Sequence, residues 1–482
     1  MADPEETQTD LVPPTPPSQL PKRFDVVVLG SGSAAAKVAK AAAKAGQATL
    51  CVENRDFGGT CALRGCNPKK VLVRAAELVE RCELLRGKAV PGEHGVRFDW
   101  ATAHAFQQTF TEPVPKSTRD GLVEAGVTIT LAQPKLLGPN RVQLQSSDGD
   151  ATREIAFDRL VIGTGAKPAK LPFAGGELAL DSDDFLSLES LPKRIVFLGG
   201  GYISSEFAHV CLIAGCEVSI IERGPRILDH FDPDMTARLE AHSRSRGMKI
   251  FTQSDVQSIE RSGAGFCVQF ELSGTDGESQ EHTVEADLVV QGLGRVPAVD
   301  TLGLDAAAIA FDDDGVTVND QCRSTTQRHV WAVGDCAAHG QPMLTPTANE
   351  TARCVARQFG GEADATPDFG PIPYAAFTLP PLASVGLHET EAREKLGDRL
   401  RVRHEEMDGW TTFRKTGAKV AAYKTLLDAD SGRIVGAHFI GVETPELVNY
   451  FALAMKTGLT RSDLKSLLFT YPTLSSEVRA MV

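Results

Sequence analysis

Membrane-spanning hydrophobicity is missing from this 482-residue chain: no stretch approaches the roughly 20 uninterrupted apolar residues that cross a bilayer. An excess of basic charge is missing too. With 50 Lys and Arg against 63 Asp and Glu the formal net charge is −13, which argues against a nucleic-acid footprint of clustered cations. The opening residues, MADPEETQTDLVPPTPPSQLPKRF, have no apolar segment of a secretory signal and are acidic and proline-rich. Residues 1–22 are therefore expected to be a disordered tail, and the protein is expected to be cytoplasmic. In a reducing compartment the ten cysteines point to catalysis or metal binding more than to structural staples. Beyond the tail there is no low-complexity segment or short-period repeat.

What is present is an ordinary globular composition, 42% apolar and 23% charged, in a chain too long for one hydrophobic core. Segment RFDVVVLG, ending at Gly30, is a β-branched run that turns into Ala-rich sequence and then a second apolar run ending at Glu53. That is β-α-β order. RIVFLG, ending at Gly199, opens a second unit of the same order that ends at Glu222. Gly30-x-Gly32-x-x-Ala35 and Gly199-x-Gly201-x-x-Ser204 sit at the two strand-to-helix turns. Glycines there allow a tight turn and close approach of the backbone to a pyrophosphate at the helix N-terminus, and the acid that ends the next strand can accept from a ribose hydroxyl. Two dinucleotides are implied. A carboxylate at Glu222 favours NADH; Arg223 and Arg226 keep NADPH as the alternative.

The segment GGTCALRGCNPKK, Gly58 to Lys70, follows the first unit. Cys61 and Cys66 are separated by four residues, and a helix N-terminus with Lys69 and Lys70 would favour thiolate, the reactive form. Cys211 and Cys216 have the same spacing, but within the apolar end of the second unit's helix, where they read as buried small side chains. Spacing alone does not define a redox pair; its position beside a nucleotide fold does.

From Phe24 onward the chain resembles the pyridine nucleotide–disulfide oxidoreductases, the family of glutathione reductase, dihydrolipoamide dehydrogenase and mercuric reductase. The resemblance rests on GSGSAA, GGTCALRGCNPKK, IGTGAKP, GGGYISSE, GLGRVP, AVGDCA, LTPTA and FTLPPLASVGL, in that order. It implies an α/β fold with two Rossmann-like dinucleotide-binding domains, for FAD and NAD(P), and a C-terminal α+β dimerisation domain. The expected division is FAD-binding at 23–168, NAD(P)-binding at 169–290, the second part of the FAD-binding region at 291–368, and dimerisation at 369–482. Cys61 becomes the thiol that meets substrate and Cys66 the one beside the flavin. Lys69 would lie near the flavin and pair with Glu206, Tyr202 would gate the nicotinamide pocket, and Asp335 would bind the ribitol. Cofactor contacts are further implied for Gly30, Gly32, Ser33, Ala35, Glu53, Gly59, Thr60, Lys70, Thr164, Gly165, Gly199, Gly201, Ile203, Glu222, Arg223, Gly294, Arg295, Gly334, Leu344 and Thr345. No metal ligand set is assigned.

One departure limits what the resemblance implies. Where the disulfide reductases carry His-Pro-Thr, with a glutamate five residues after the histidine, this chain has Tyr471, Pro472 and Thr473, with Ser476 at the glutamate position. A phenol near its reference pKa of about 10 is a poor base at neutral pH, though it can donate a proton. The expected partner is a small-molecule or disulfide acceptor, in a homodimer whose active site is shared between subunits. Two alternatives remain open: reduction of a quinone, metal ion or dioxygen, which needs no acid–base dyad, and a redox-responsive binding protein. Lys40 and Arg353 stand where a glutathione-type substrate would meet cations.

Overall fold

The computed structural model describes residues 12–91, 95–146, 149, 151–274 and 279–482, arranged in two compact units. The expected tail lies outside the described residues as far as residue 11. Its remainder departs from the expectation of disorder. Thr15 N–H donates to the Ile129 carbonyl at 2.8 Å, the Thr130 hydroxyl donates to the Thr15 carbonyl at 2.8 Å, and Leu20 is buried with Phe24 and Phe157. The prolines support a short 3-10 turn, Pro17–Gln19.

The first unit comprises residues 1–68, 108–167 and 295–369. Its central strand, Arg23–Leu29, is buried continuously from Val26 to Leu29, as a parallel strand covered on both faces must be. It pairs in parallel with Thr49–Glu53 on one side and Thr152–Ile162 on the other; Thr128–Gly138 and Val330–Ala332 extend the sheet outward. The long strands Thr128–Gly138 and Thr152–Ile162 both also pair antiparallel with Arg141–Ser146. Helix Ser33–Lys44 presents Ala34, Ala35, Val38, Ala39 and Ala42 to the core. Small side chains let it lie close to the sheet: a Cβ on Gly163 would come within 2.7 Å of Ala35 Cβ.

The second unit comprises residues 69–107, 168–294 and 370–482. Strands Leu288–Gln291, Arg194–Leu198, Glu217–Ile221 and Lys249–Phe251 form a parallel sheet in that spatial order, with helix Tyr202–Ile213 in the crossover. A five-stranded antiparallel sheet, ordered Tyr374–Ala376, Leu382–Gly386, Ile434–Ile440, Ala422–Asp428, Leu400–Glu406, carries helix Thr444–Thr457. The grouping differs from the expected division, which placed residues 69–107 with the first domain and separated 169–290 from 369–482. The reason is a shared core: Leu72, Val73, Trp100 and Ala103 are buried with Phe197 and Phe207 of the nucleotide fold and with Leu379, Leu382 and Ile440 of the C-terminal sheet. Among the described residues no helix is long and apolar enough to cross a membrane.

Candidate redox-active site

Two glycine loops set the frame. In the first unit Gly30 has φ +100°, and a Cβ there would collide with the Gly163 carbonyl, so only glycine passes this strand end. Gly32 precedes helix Ser33–Lys44 and caps it with no side chain. The first amides of that helix are thus left for an anion. Glu53 is 8% exposed and holds the loop in shape. It accepts from Ser31 N–H at 3.0 Å, the Ser31 hydroxyl at 2.6 Å, Asn54 N–H at 2.9 Å and Arg55 N–H at 3.1 Å. The Ser31 hydroxyl in turn accepts from Gly58 N–H at 3.1 Å, which ties the first loop to the start of the dithiol segment. Ser31 lies within GSGSAA and Gly58 opens GGTCALRGCNPKK, but the motifs themselves do not reveal this bond between them.

The same unit contains Gly59, Thr60, Thr164, Gly165, Arg295, Gly334, Asp335, Leu344 and Thr345. Gly59 lies directly against Gly32, with φ +74°. Arg295 donates to the Ala166 carbonyl at 2.6 Å, and Gly334 N–H donates to the Thr351 hydroxyl at 3.0 Å. Burial pushes the Asp335 carboxyl upward, Arg295 opposes that, and Cys66 adds to it. Thr347, in the first turn of helix Thr345–Phe359, buries its hydroxyl oxygen with no hydrogen-bond partner. A perturbed carboxyl, an unsatisfied buried hydroxyl and an uncapped helix start are features that FAD, bound here, would satisfy.

The second loop repeats the device. Gly199 has φ +85°, Gly201 precedes helix Tyr202–Ile213 without a side-chain cap, and Glu222 accepts from Gly200 N–H and from Gly224 N–H. Arg226 is held by Asp229 at 2.7 Å, while Arg223 is exposed. Ile203 is half-buried, and the carbonyl of Gly294, at φ +105°, accepts from Ala169 N–H at 3.1 Å.

Cys61 lies in the short helix Gly59–Arg64, and Cys66 is the first residue of helix Cys66–Leu84. The break between them is Gly65. A Cβ there would stand 2.8 Å from the Thr60 carbonyl oxygen and 3.2 Å from Cys61 Cα, so the absence of a side chain lets the second helix start against the first. Thr345, at the N-terminus of its helix, donates its hydroxyl to Cys61 Sγ at 3.2 Å and lies 3.7 Å from Cys66 Sγ. One hydroxyl therefore reaches both sulfurs. The motif marked Thr345 for the cofactor and did not reveal this contact. Interaction with Cys66, and then burial, push the Cys61 thiol far above its ordinary value, against the opposing effect of the Thr345 hydrogen bond.

In the second unit Glu206 is 1% exposed and receives Lys69 Nζ at 2.8 Å, Lys70 Nζ at 2.5 Å and Phe377 N–H at 2.9 Å. Burial alone would raise its pKa; the two ammonium groups overcome burial and bring it down to about 2. Lys69 Nζ also lies 5.3 Å from the Tyr202 ring centroid, and Lys70 Nζ lies 4.1 Å from that of Phe377, both within cation–π range. The sequence pairs Glu206 with Lys69 alone; Lys70 and the Phe377 amide are additions that only the fold shows.

Tyr471 is 78% exposed. Ser476 does not orient it: its hydroxyl donates to the Thr473 carbonyl at 2.6 Å, within the capped turn Leu474–Glu477. Arg353 is ion-paired with Glu350. Asp232, His388 and His438 bring potential ligand atoms within 4.8 Å of one another. Lys424 already occupies Asp232 at 2.9 Å, and the His438 nitrogens face the Ser384 hydroxyl and Leu387 carbonyl at 3.1 and 3.0 Å, so this cluster is an ion-pair and hydrogen-bond network.

Paired nucleotide loops with a dithiol define a flavin- and nicotinamide-dependent class, and comparison with known proteins gives it a family. Residues 24–352 match the pyridine nucleotide-disulphide oxidoreductase family and residues 372–482 match its dimerisation domain. The chain belongs to this family. It is 32% identical over 470 residues to a glutathione reductase of Burkholderia cepacia, covering 94% of this chain and 97% of that one. To a dihydrolipoyl dehydrogenase of Rhizobium etli it is 28% identical over 483 residues, covering 95% and 97%. Among solved structures it is similar to the Cu(II) complex of the HOCl-induced flavoprotein disulfide reductase RclA from Escherichia coli, at 25% identity and a TM-score of 0.84, covering 95% and 98%. The protein is thus an FAD-dependent, NAD(P)H-dependent disulfide oxidoreductase, and its dimerisation domain supports a homodimer.

Glu206→Gln should expose the value of its carboxylate. Leaving the buried Lys69 ammonium and the half-buried Lys70 ammonium without their counter-charge is expected to cost about 3 kcal/mol at pH 7, read by urea unfolding. Glu206 is more acidic folded, at about 2, than its ordinary 4.5. Its contribution is therefore complete above pH 4.5 and fades as pH falls toward 2. The gap between wild type and variant should narrow over that interval; a gap that is absent at pH 7, or that widens in acid, would contradict the ion-pair account.

Proposed function

We propose that this protein reduces a low-molecular-weight disulfide in the cytoplasm with electrons from NADH. The supporting observation is the juxtaposition of Cys61 and Cys66 at the Gly65 break, with the Thr345 hydroxyl reaching both sulfurs. Gly30, Gly32, Glu53, Asp335 and Thr345 would hold FAD, with the remaining fingerprint residues of the first unit. FAD, when bound, supplies two-electron chemistry between a reduced nicotinamide and a dithiol. Gly199, Gly201, Tyr202, Ile203 and Glu222 would hold the nicotinamide nucleotide. Glu222 supports NADH because a second negative charge, a 2′-phosphate, would be repelled there. Arg226 is already engaged by Asp229, so NADPH binding would rest on Arg223.

Exchange starts from the reduced pair. Cys61 attacks one sulfur of the substrate and the first product thiol leaves; Cys66 then attacks Cys61 and releases the second, restoring the protein disulfide. Substrate disulfide and protein dithiol thereby become two small thiols and one protein disulfide. Cys61 must lose its proton first, and its raised pKa makes that step costly without a histidine base. Tyr471, from a second copy across a shared active site, is suited to protonating the departing thiolate, which leaves as a thiol.

A second reading has its own support. The Tyr471 and Ser476 pair lacks the acid–base partnership that disulfide chemistry favours, and one structural relative is described as a Cu(II) complex. A metal-ion, quinone or dioxygen acceptor would need no such pair.

Cys61→Ser is expected to abolish disulfide turnover while reduction of bound flavin by NADH persists. Turnover of disulfide that survives would refute the proposal, and metal or quinone turnover that survives loss of both cysteines would favour the second reading. The pH dependence is a separate check. Because the Cys61 thiol lies above the ordinary value of about 8.5, log kcat/KM for the disulfide should climb by about one per pH unit from roughly 6.5 to 9. A plateau near pH 7 would mean that another group serves as base.

A further inference from the structure

Helix Tyr202–Ile213 ends in a motif that the redox site does not use. Ala214 is its cap, Gly215 follows with φ +90°, Gly215 N–H donates to the Leu212 carbonyl at 3.1 Å, and Cys216 N–H donates to the Cys211 carbonyl at 3.0 Å. These are the two hydrogen bonds of a Schellman motif, in which the residue after the glycine commonly packs on the residue three from the helix end. Both of those positions are cysteine here. With a backbone bond of 3.0 Å between them, standard bond lengths limit their Cα separation to about 7 Å, the outer reach of a disulfide.

The two thiols interact and differ in access. Cys211 is fully buried in the core around Phe207 and Ile220, whereas Cys216 is half-exposed at its edge. The Cys211 interaction draws the Cys216 thiol below its ordinary value, against burial, while burial pushes Cys211 up. An accessible, more acidic thiol beside a sheltered resolving thiol is the arrangement of oxidant-responsive cysteines. Cys322 and Cys354 also interact, but both are buried and neither offers an entry point.

We propose that Cys211 and Cys216 form a second thiol–disulfide pair, separate from Cys61 and Cys66, that takes oxidising equivalents from a low-molecular-weight disulfide. Cys216 thiolate attacks one sulfur of the small disulfide, the bond between its sulfurs breaks, and one small thiolate leaves and takes up a proton. Cys211 then gives up its proton and attacks Cys216 Sγ, expelling the second small thiol. Two protein thiols are oxidised and one disulfide is reduced to two thiols. The pair lies at the C-terminal end of the helix whose first turns carry Tyr202 and Glu206.

Residues 195–223, flanked by Arg194 and ending at Arg223, make one tryptic peptide with these two cysteines and no others. Full-length holoenzyme is incubated anaerobically with oxidised glutathione and no nicotinamide, then denatured in acid, alkylated, digested and weighed. The peptide is expected to lose both alkylation sites together and to be two hydrogens lighter. Cys211→Ser should stop at glutathione attached to Cys216, and Cys216→Ser should leave Cys211 fully alkylatable. If the buried Cys211→Ser change prevents folding, wild type and Cys216→Ser carry the test. A wild-type peptide that stays doubly alkylated, a mixed disulfide that never closes, or Cys211 oxidised equally fast in Cys216→Ser would each overturn the proposal. The readout is peptide mass, so failure here would leave the proposed acceptor of Cys61 and Cys66 untouched.

Discussion

The proposed chemistry of Cys61 and Cys66 depends on the missing side chain of Gly65. The thiols belong to two different helices, and what brings them together is a backbone reversal with no space for a Cβ, against the Thr60 carbonyl and Cys61 Cα. A longer connection would still join the helices but would not fix the sulfurs beside one hydroxyl. Thr345, from a helix far along the chain, then bonds to Cys61 and approaches Cys66, so the pair is oriented from outside its own segment. The energetic consequence falls on Cys61, whose proton is held by its partner and by burial.

Glu206 plays the corresponding part in the second unit. A carboxylate this buried is tolerated only when fully paired, and it is: two ammonium groups and one backbone amide satisfy it. Both lysines follow Cys66 closely on the helix Cys66–Leu84, so one helix carries one of the proposed redox thiols at its start and the cations for Glu206 a turn later. The two carboxylates at the strand ends act differently. Glu53 and Glu222 brace their own glycine loops through backbone amides, which shapes each loop before any ribose arrives.

Much of this was legible in the sequence because it is encoded locally. Strand, glycine turn, helix, strand and acid occur in contiguous stretches, and the dithiol segment follows directly after the first of them. What escaped was assembled at long range. The Thr345 contact spans 284 residues in sequence, the Phe377 amide on Glu206 spans 171, and the merging of residues 69–107 with the C-terminal sheet follows from a core that no single periodic pattern announces. The proline-rich tail misled for a different reason. Composition suggests disorder, but buried Leu20, the Thr15 N–H bond to the Ile129 carbonyl and the Thr130 hydroxyl bond to the Thr15 carbonyl fasten the segment to a strand edge. Cys211 and Cys216 show the reverse: identical spacing to the redox pair, but read as ordinary core until the helix end placed them at the two contacting positions of its cap.

The central claim is that electrons entering the protein reach Cys61 and Cys66. Anaerobic titration of the yellow holoprotein with NADH tests it most directly, with the visible spectrum recorded after each addition. A long-wavelength absorption, from a thiolate lying against oxidised flavin, should grow during the first two-electron equivalent, before the flavin itself bleaches. Bleaching from the first addition, with no such band in a protein that is otherwise fully reducible, would show that the dithiol is not wired to the cofactor.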